Sequence, residues 1–453
     1  MPDAEIQDRG FIPPAPSPGE RDLPPLRALL TSISRPLEGW PRAIYEQRVW
    51  RPPVPGLPVF IMDPDALGAI FGEKAAAFPQ GALWRRMMRP VWGDGLVTSE
   101  GAAWRWQRRA TAPAFRPAHM HALAPVMVRA GEAALERWTR QGRIDLAQEC
   151  GRITLDVLLD AVLSGGEDFD REELRGLAER FVAQVLKTRL SYFFAPDAFH
   201  EGRMSPEAPE GARLRAGVDA MIRRRRAEPP RGDLVDLLLG ARDPETGREM
   251  GDDILRDNLL GFIVAGHETT ATALCWPVWL ASIHEPTRRR LRAEVEAVAG
   301  DGAIRPEHVE RLVFARQVVS ESLRLYPVNH LLTRVCVETT EVGGMRVKAG
   351  ERILAPVYAL HRHRLWWREP DRFDPDRFAP DAEPPDRHVY MPFGAGPRIC
   401  LGAAFAMTEL TVLLATFVRG ADFTPDPGHR VWPVAENSVV RPEGGLPMTV
   451  VRR

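Results

Sequence analysis

The sequence predicts a mainly α-helical protein with a small β-rich lobe, an α+β body built on one long central helix. Three observations lead there. Helical periodicity dominates from about Leu67 onward. A segment from about Asp252 to Ile283, with an apolar centre at Leu259 to Ala265, predicts the long helix. Short alternating stretches predict strands at Val54 to Asp63 and at Thr333 to Ile353, the latter broken by Gly343-Gly344 and Ala349-Gly350 as hairpins require.

The elements follow in order. Residues 1–35 hold Pro13, Pro14, Pro16, Pro18, Pro24 and Pro25 among charges, which predicts an extended arm or partial disorder. The arm has no apolar run of the roughly 20 residues that span a bilayer. It also lacks the basic-then-apolar pattern of a signal peptide, so no membrane anchor is expected. The strand VPGLPVFIMD ends at Asp63-Pro64. Pro277 should kink or end the long helix near its far end. A following helix starts near Pro286 with the amphipathic string RRRLRAEVEAV. Another spans about Leu312 to Leu325 and is stopped by Tyr326-Pro327. A proline-rich meander runs from Trp366 to Pro392, and a last helix from about Leu401 to Val418. No repeat or low-complexity linker divides the chain. Residues 36–453 are read as one domain, with the β-rich lobe at about 50–75 and 333–360.

Charge gives no pull toward nucleic acid: Lys and Arg number 60 against 61 Asp and Glu. The four cysteines, Cys150, Cys275, Cys336 and Cys400, form no C-x-x-C pair and no zinc spacing. So few in so long a chain argue against a disulfide framework and for a reducing, cytoplasmic setting.

The most informative string is Phe393-Gly394-Ala395-Gly396-Pro397-Arg398-Ile399-Cys400-Leu401-Gly402. It sets one cysteine in a glycine-rich turn at the mouth of an apolar helix. Glycine permits unusual backbone angles and close approach of a flat group. Unpaired amides at a helix start favour a thiolate. Arg398 could meet a second anionic group. By spacing alone, Cys400 is equally a buried hydrophobe, a hydrolase nucleophile or a haem ligand.

Three further motifs bear on that choice. Ala265-Gly266-His267-Glu268-Thr269-Thr270 puts polar residues inside an apolar helix, a cost that calls for partners or a task. Gly266 costs about 1 kcal/mol against alanine at mid-helix and permits a close approach or a local opening of the helix. Glu268 and Thr269 set an acid beside a hydroxyl. The plainer alternative makes Glu268 a surface group and lets Thr269 bond back to its own helix. His267 as a metal ligand is disfavoured. Glu321-Ser322-Leu323-Arg324 places Glu321 and Arg324 on one helix face. In Trp104-Arg105-Trp106-Gln107-Arg108-Arg109, Trp104 and Arg108 share a face and both can donate to a carboxylate. Arg105 and Arg109, turned about 100° away, could present a positive surface to an acidic partner.

Taken together, these strings closely resemble the cytochrome P-450 superfamily of haem-thiolate monooxygenases, over most of the chain from about Val54. The resemblance implies that fold, with the long helix over the haem. It implies haem b (iron protoporphyrin IX) with the Cys400 thiolate as axial ligand, and a cofactor site of Phe393, Gly394, Arg398, Gly402, Ala265 and Gly266. Trp104, Arg108, Arg334 and Arg398 match the partners of the haem propionates. Thr269 would hydrogen-bond the oxygen and Glu268 would relay protons. Glu321, Arg324 and, within Phe373-Asp374-Pro375-Asp376-Arg377-Phe378, Arg377 match the family's structural cluster.

The implied activity is insertion of one atom of O2 into a lipophilic small molecule by a soluble bacterial-type member. The Ala-Gly-His-Glu-Thr-Thr and Leu-Arg-Leu-Tyr-Pro strings suggest a fatty acid or similar lipid. Substrate would meet Phe78 to Met88, Leu260 to Ala265 and Asn329 to Leu332. With no flavin or iron–sulfur domain after Arg453, electrons are expected from a separate ferredoxin or flavodoxin and its NAD(P)H-dependent reductase. A peroxide-dependent peroxygenase and a non-enzymatic haem-thiolate sensor are the alternatives. The Glu268-Thr269 pair speaks against the first.

Overall fold

A computed structural model of the chain describes residues 10–16, 22–54, 56–81, 85, 89, 92–162, 170–173, 176, 209–436 and 439–453. Its small lobe is built on strand Val59–Ile61, buried at all three residues. This strand pairs in parallel with Arg352–Ala355, in the register Val59 to Ile353 and Phe60 to Leu354. Val49–Trp50 and Leu332–Val335 close the two sides antiparallel. The expected strand at Val54 to Asp63 is therefore shorter than its apolar run. Pro52, Pro53, Pro55 and Pro58 have no N–H to give a ladder. Residues 64–73, which the sequence places in the β-rich lobe, are helical: Pro64–Gly68, capped by the Asp63 carboxylate on the Ala66 N–H at 2.9 Å, then a π-helical turn Ala69–Glu73. Hairpin Thr340–Val342 and Met345–Val347 turns through Gly343 and Gly344, at φ 52° and 72°. Two successive positive φ values are what a two-residue hairpin turn demands.

The helical body centres on Asp252–Ile283, which keeps the boundaries read from the sequence. Pro277 does not end it, and six more residues follow in helical conformation. The helix is buried nearly all round, as expected of one inside a large body. It packs on helices Leu146–Val162 and Ala403–Gly420. Trp276 stacks flat on Tyr326 at 4.0 Å and donates its indole N–H to the Val440 carbonyl at 3.0 Å. Ala403–Gly420 is long and apolar enough to cross a membrane, but it lies in the core with Leu410, Leu413, Leu414 and Phe417 fully buried.

Two features of the C-terminal region escaped the sequence reading. Strand Pro447–Arg452 joins Ala421–Pro425 and the distant Arg143–Asp145 in one sheet. A hairpin pairs Pro433–Glu436 with Val439–Pro442.

The proline-rich arm is partly extended, as expected, and partly not. Phe11 stacks on His284 at 5.1 Å and meets Phe373 edge-on at 6.2 Å. The Tyr326 and Tyr358 hydroxyls donate to the carbonyls of Pro14 and Pro16. Residues Pro25–Ser34 then form a helix with proline in its first turn, where a missing N–H costs nothing.

Candidate functional site

The cysteine loop takes its shape from glycine. Gly394 and Gly396 sit at φ 76° and 69°. A Cβ on Gly396 would lie 1.7 Å from the Phe71 carbonyl oxygen, so no other residue fits there. A single 3-10 turn, Gly396–Arg398, then leads to Cys400, whose N–H donates to the Phe393 carbonyl at 2.9 Å. Gly402 caps the helix Ala403–Gly420. Cys150, Cys275 and Cys336 are buried, while Cys400 is exposed. Its surroundings nevertheless desolvate it, which pushes the thiol up, against the pull of the Gly402 N–H and of Arg108. A sulfur both reachable and crowded lies in a recess rather than on the open surface.

Three arginines attend that recess. Desolvation lowers Arg108, partly offset by Cys400. It pushes Arg334 down to about 10, and the nearby Arg398 adds to the shift. Arg398 is lowered likewise. Among the described residues none of the three pairs with a carboxylate. Arg398 instead lies over the Trp104 ring at 4.7 Å and donates to the Ser99 carbonyl at 2.7 Å. Arg334 lies over Phe71 at 4.5 Å. Trp104 and Arg108 thus share the recess side of helix Gly101–Thr111. Arg105 is exposed, but Arg109 is not free with it. It grips Asp243 at 2.8 and 2.7 Å and holds that carboxyl well below the usual range.

On the long helix, Ala265 is exposed among neighbours that are buried or half-buried, so this face looks into open space. The Thr269 hydroxyl donates to the Ala265 carbonyl at 2.5 Å, the back-bond that a helical threonine can always make. Gly266 has a packing reason: a Cβ there would meet Leu158 Cδ1 of the neighbouring helix at 2.9 Å. His267 is buried against that same helix, with Nε2 3.1 Å from the Gly151 carbonyl. No group of three or more His, Cys, Asp or Glu gathers to hold a metal among the described residues. Glu268 is half-buried and ion-paired with Arg441 of the C-terminal hairpin, a partner that no local motif announces.

The predicted structural cluster is assembled. Glu321 and Arg324 are fully buried and joined by two parallel bonds of 2.7 and 2.8 Å. Arg324 also donates to the carbonyls of His361, Pro370 and Arg372. Arg377 approaches Glu321 at 3.6 Å and donates to the Glu369 carbonyl. Glu321 takes the Asp374 N–H at 2.8 Å. Every polar group of the buried pair is thereby used. The sequence reading missed His361, which ties this cluster to the stretch leading into the cysteine loop.

A family model described as Cytochrome P450 matches residues 55–450. The chain belongs to the cytochrome P450 family. It is 35% identical to cyclooctatin synthase of Streptomyces melanosporofaciens, over 81% of this chain and 80% of that one. It is 32% identical to cyclooctat-9-en-7-ol 5-monooxygenase of the same organism, over 78% and 77%. Its fold superposes on the cytochrome P450DA haem domain with a TM-score of 0.80 at 25% identity, covering 98% of each chain. The protein is thus a P450 monooxygenase, and the family implies a haem held by a cysteine thiolate. The residues present fit that group. One cysteine is open to a recess, and three desolvated guanidinium groups, without carboxylate partners among the described residues, are suited to two propionates.

Of the stretches expected to meet substrate, 82–84 and 86–88 lie outside the described residues. Leu260 and Ile263 are fully buried, while Leu331 and Leu332 are half-exposed.

Proposed function

We propose that this P450 hydroxylates a lipophilic small molecule with O2, over a haem b ligated by Cys400, using electrons from a separate ferredoxin or flavodoxin and its NAD(P)H-dependent reductase. The observation that carries this reading is the recess itself: the reachable Cys400 beside Arg108, Arg334 and Arg398, none of them ion-paired with a carboxylate among the described residues.

When bound, the haem supplies O–O cleavage, helped by thiolate donation, and delivers one oxygen atom to substrate and one to water. The chain's residues orient and supply protons. The glycine loop from Phe393 to Gly402 fixes the sulfur, and the arginines take the propionates. The Thr269 hydroxyl donates its hydrogen bond to the Ala265 carbonyl, so its lone pairs remain to accept a hydrogen bond from the open side. Glu268, one residue earlier, is the ionisable group that can carry protons inward. This acid–alcohol pair favours O2 over peroxide as oxidant.

Two relatives above 30% identity bear on the substrate. One is named for oxidising cyclooctat-9-en-7-ol, an unsaturated alcohol, at position 5. Unsaturated cyclic alcohols therefore lead the candidates, with fatty acids second. Free cysteines support action in a reducing cytoplasm.

The test is spectroscopic. Protein reconstituted with haem should give the red-shifted Soret band of a thiolate-ligated iron on reduction under carbon monoxide. Cys400→Ser should not. A panel of cyclic alcohols and fatty acids is then screened for a substrate-driven change in iron spin state. Loss of the thiolate band in the wild type would overturn the reading; a protein that takes haem but answers no lipophilic compound would favour the sensor.

A further inference from the structure

Residues 93–99 form a loop that side chains from the long helix and from helix Gly101–Thr111 both fasten. Glycines let it lie against the long helix. A Cβ on Gly93 would collide with the Asp257 carboxylate, and one on Gly95 would lie 2.9 Å from the Asp257 carbonyl oxygen. Asp257 accepts the Asp94 N–H at 2.8 Å, and Asn258 accepts the Leu96 N–H at 2.7 Å. From the other helix, Gln107 donates to the Asp94 carbonyl at 2.9 Å. Asn258 donates to Gln107 Oε1 at 3.1 Å and so joins the two helices. It also donates to the Ile254 carbonyl. Asn258 and Gln107 are each 1% exposed. A backbone N–H must face an amide oxygen, and a carbonyl must face an amide NH2, so each side chain has one way round. Buried amides bonded in this way fix a geometry, where apolar side chains would only fill space.

The loop ends at Ser99. The Ser99 N–H donates to the Gly95 carbonyl at 2.9 Å, and the Thr98 hydroxyl donates to the Gly93 carbonyl at 2.7 Å, so the loop moves as one piece. The Ser99 carbonyl accepts Arg398 Nη2 at 2.7 Å. That bond uses one guanidinium N–H, and the rest have no acceptor among the described residues. Arg398 also lies over Trp104, three residues before Gln107 on the same helix. Contacts therefore run unbroken from Asn258 on the long helix to a guanidinium of the recess.

We propose that Asn258 and Gln107 are positioning residues for Arg398: their amide bridge sets the Ser99 carbonyl, and that carbonyl holds the guanidinium toward the recess with its remaining N–H groups left for a carboxylate of the cofactor. Both amides act through Ser99 and Arg398 and have no part in the reaction themselves. This rests on Arg398 being a propionate partner, and adds how the chain keeps that arginine aimed.

The experiment uses the full-length haem-loaded protein and the variants Asn258→Ala, Gln107→Leu and Arg398→Gln, with each amide variant also combined with Arg398→Gln. Gln107→Leu fills nearly the same space without an amide, so it carries the test should Asn258→Ala fold poorly. The first readout is the rate at which haem passes to excess apomyoglobin. Arg398→Gln should speed release about tenfold, the worth of one charge-assisted hydrogen bond, and each amide variant should speed it severalfold. In the doubles the rate should match that of Arg398→Gln alone, because residues that act through one contact are not additive. The second readout is the propionate bending band in the resonance Raman spectrum. It should move in the amide variants in the same sense as in Arg398→Gln.

A residue that only stabilises the fold would lower the denaturation midpoint, leave the Raman band in place and multiply its effect on release with that of Arg398→Gln. Either of those last two results, or release as slow as wild type in both amide variants, would overturn the positioning role while leaving Arg398 at the propionates. Amide variants that take up no haem, while Arg398→Gln takes it up, would overturn it too, since the loop would then do more than aim one arginine. If Arg398→Gln itself changes neither readout, the propionate assignment fails and the positioning role fails with it.

Discussion

His361 accepts the backbone N–H of Met391 at 2.9 Å through Nε2. Its other nitrogen lies 3.2 Å from the Arg324 carbonyl. An accepting nitrogen carries no proton, so the ring is neutral with its hydrogen on Nδ1. Burial, then the charge of Arg324, pushes its pKa down to about 3. Free imidazole titrates near 6.5, so on acidification the unfolded chain takes up this proton before the folded one. The contribution is complete above about pH 6.5 and is lost progressively as pH falls toward 3. His361→Gln should therefore melt lower than wild type at pH 7, with the gap narrowing toward pH 4. A gap that stays constant with pH would contradict the neutral ring.

Gly396→Ala should abolish haem retention. The new methyl would have to displace the Phe71 backbone, and the left-handed φ adds a further penalty of about 1 kcal/mol or more. The ratio of Soret to protein absorbance, with the melting temperature, checks this. Stoichiometric haem in the variant would show that the loop can relax.

Arg324→Ala should leave Glu321 charged and buried without its partner, at a cost of about 3–5 kcal/mol. Arg324→Lys should rescue little. A lysine cannot reproduce two bonds to Glu321 and three to carbonyls from one planar fork. Chemical denaturation of both variants reads the difference. A lysine variant as stable as wild type would mean that charge, not geometry, holds the cluster.

Thr269→Ala should separate function from stability. Among the described residues the hydroxyl's one hydrogen bond is to its own helix, so unfolding free energy should change by less than about 1 kcal/mol. Electrons should instead escape to hydrogen peroxide rather than product. Peroxide released per NAD(P)H oxidised is the measurement. Unaltered coupling would remove Thr269 from proton delivery.

What was legible in the sequence was local. The long helix, the turn at Gly343-Gly344 and the glycine cysteine loop are each written in consecutive residues, and each appears where expected. The Glu321, Arg324 and Arg377 cluster was legible only because its residues match a recurrent family pattern. Periodicity alone would have left Glu321 and Arg324 as an exposed pair. Contacts between distant segments were not legible. Arg441 meets Glu268 across 173 positions, and Leu446 donates to Asp145 across 301. Nothing in either local string announces the other. His361 was missed for a similar reason: it stands in a stretch with no period, and only burial reveals its task. The helix that opens at Pro64 begins where the sequence ends the strand, three residues before the helical periodicity read from about Leu67.

The three-stranded sheet that unites Arg143–Asp145 with Pro447–Arg452 has a bearing on biosynthesis. On a ribosome, the early strand must wait for residues as distant as Pro447 to emerge before its partner exists. Cys400 likewise emerges after Arg108 and Arg334, so the guanidinium groups of the recess are made before the sulfur that completes it.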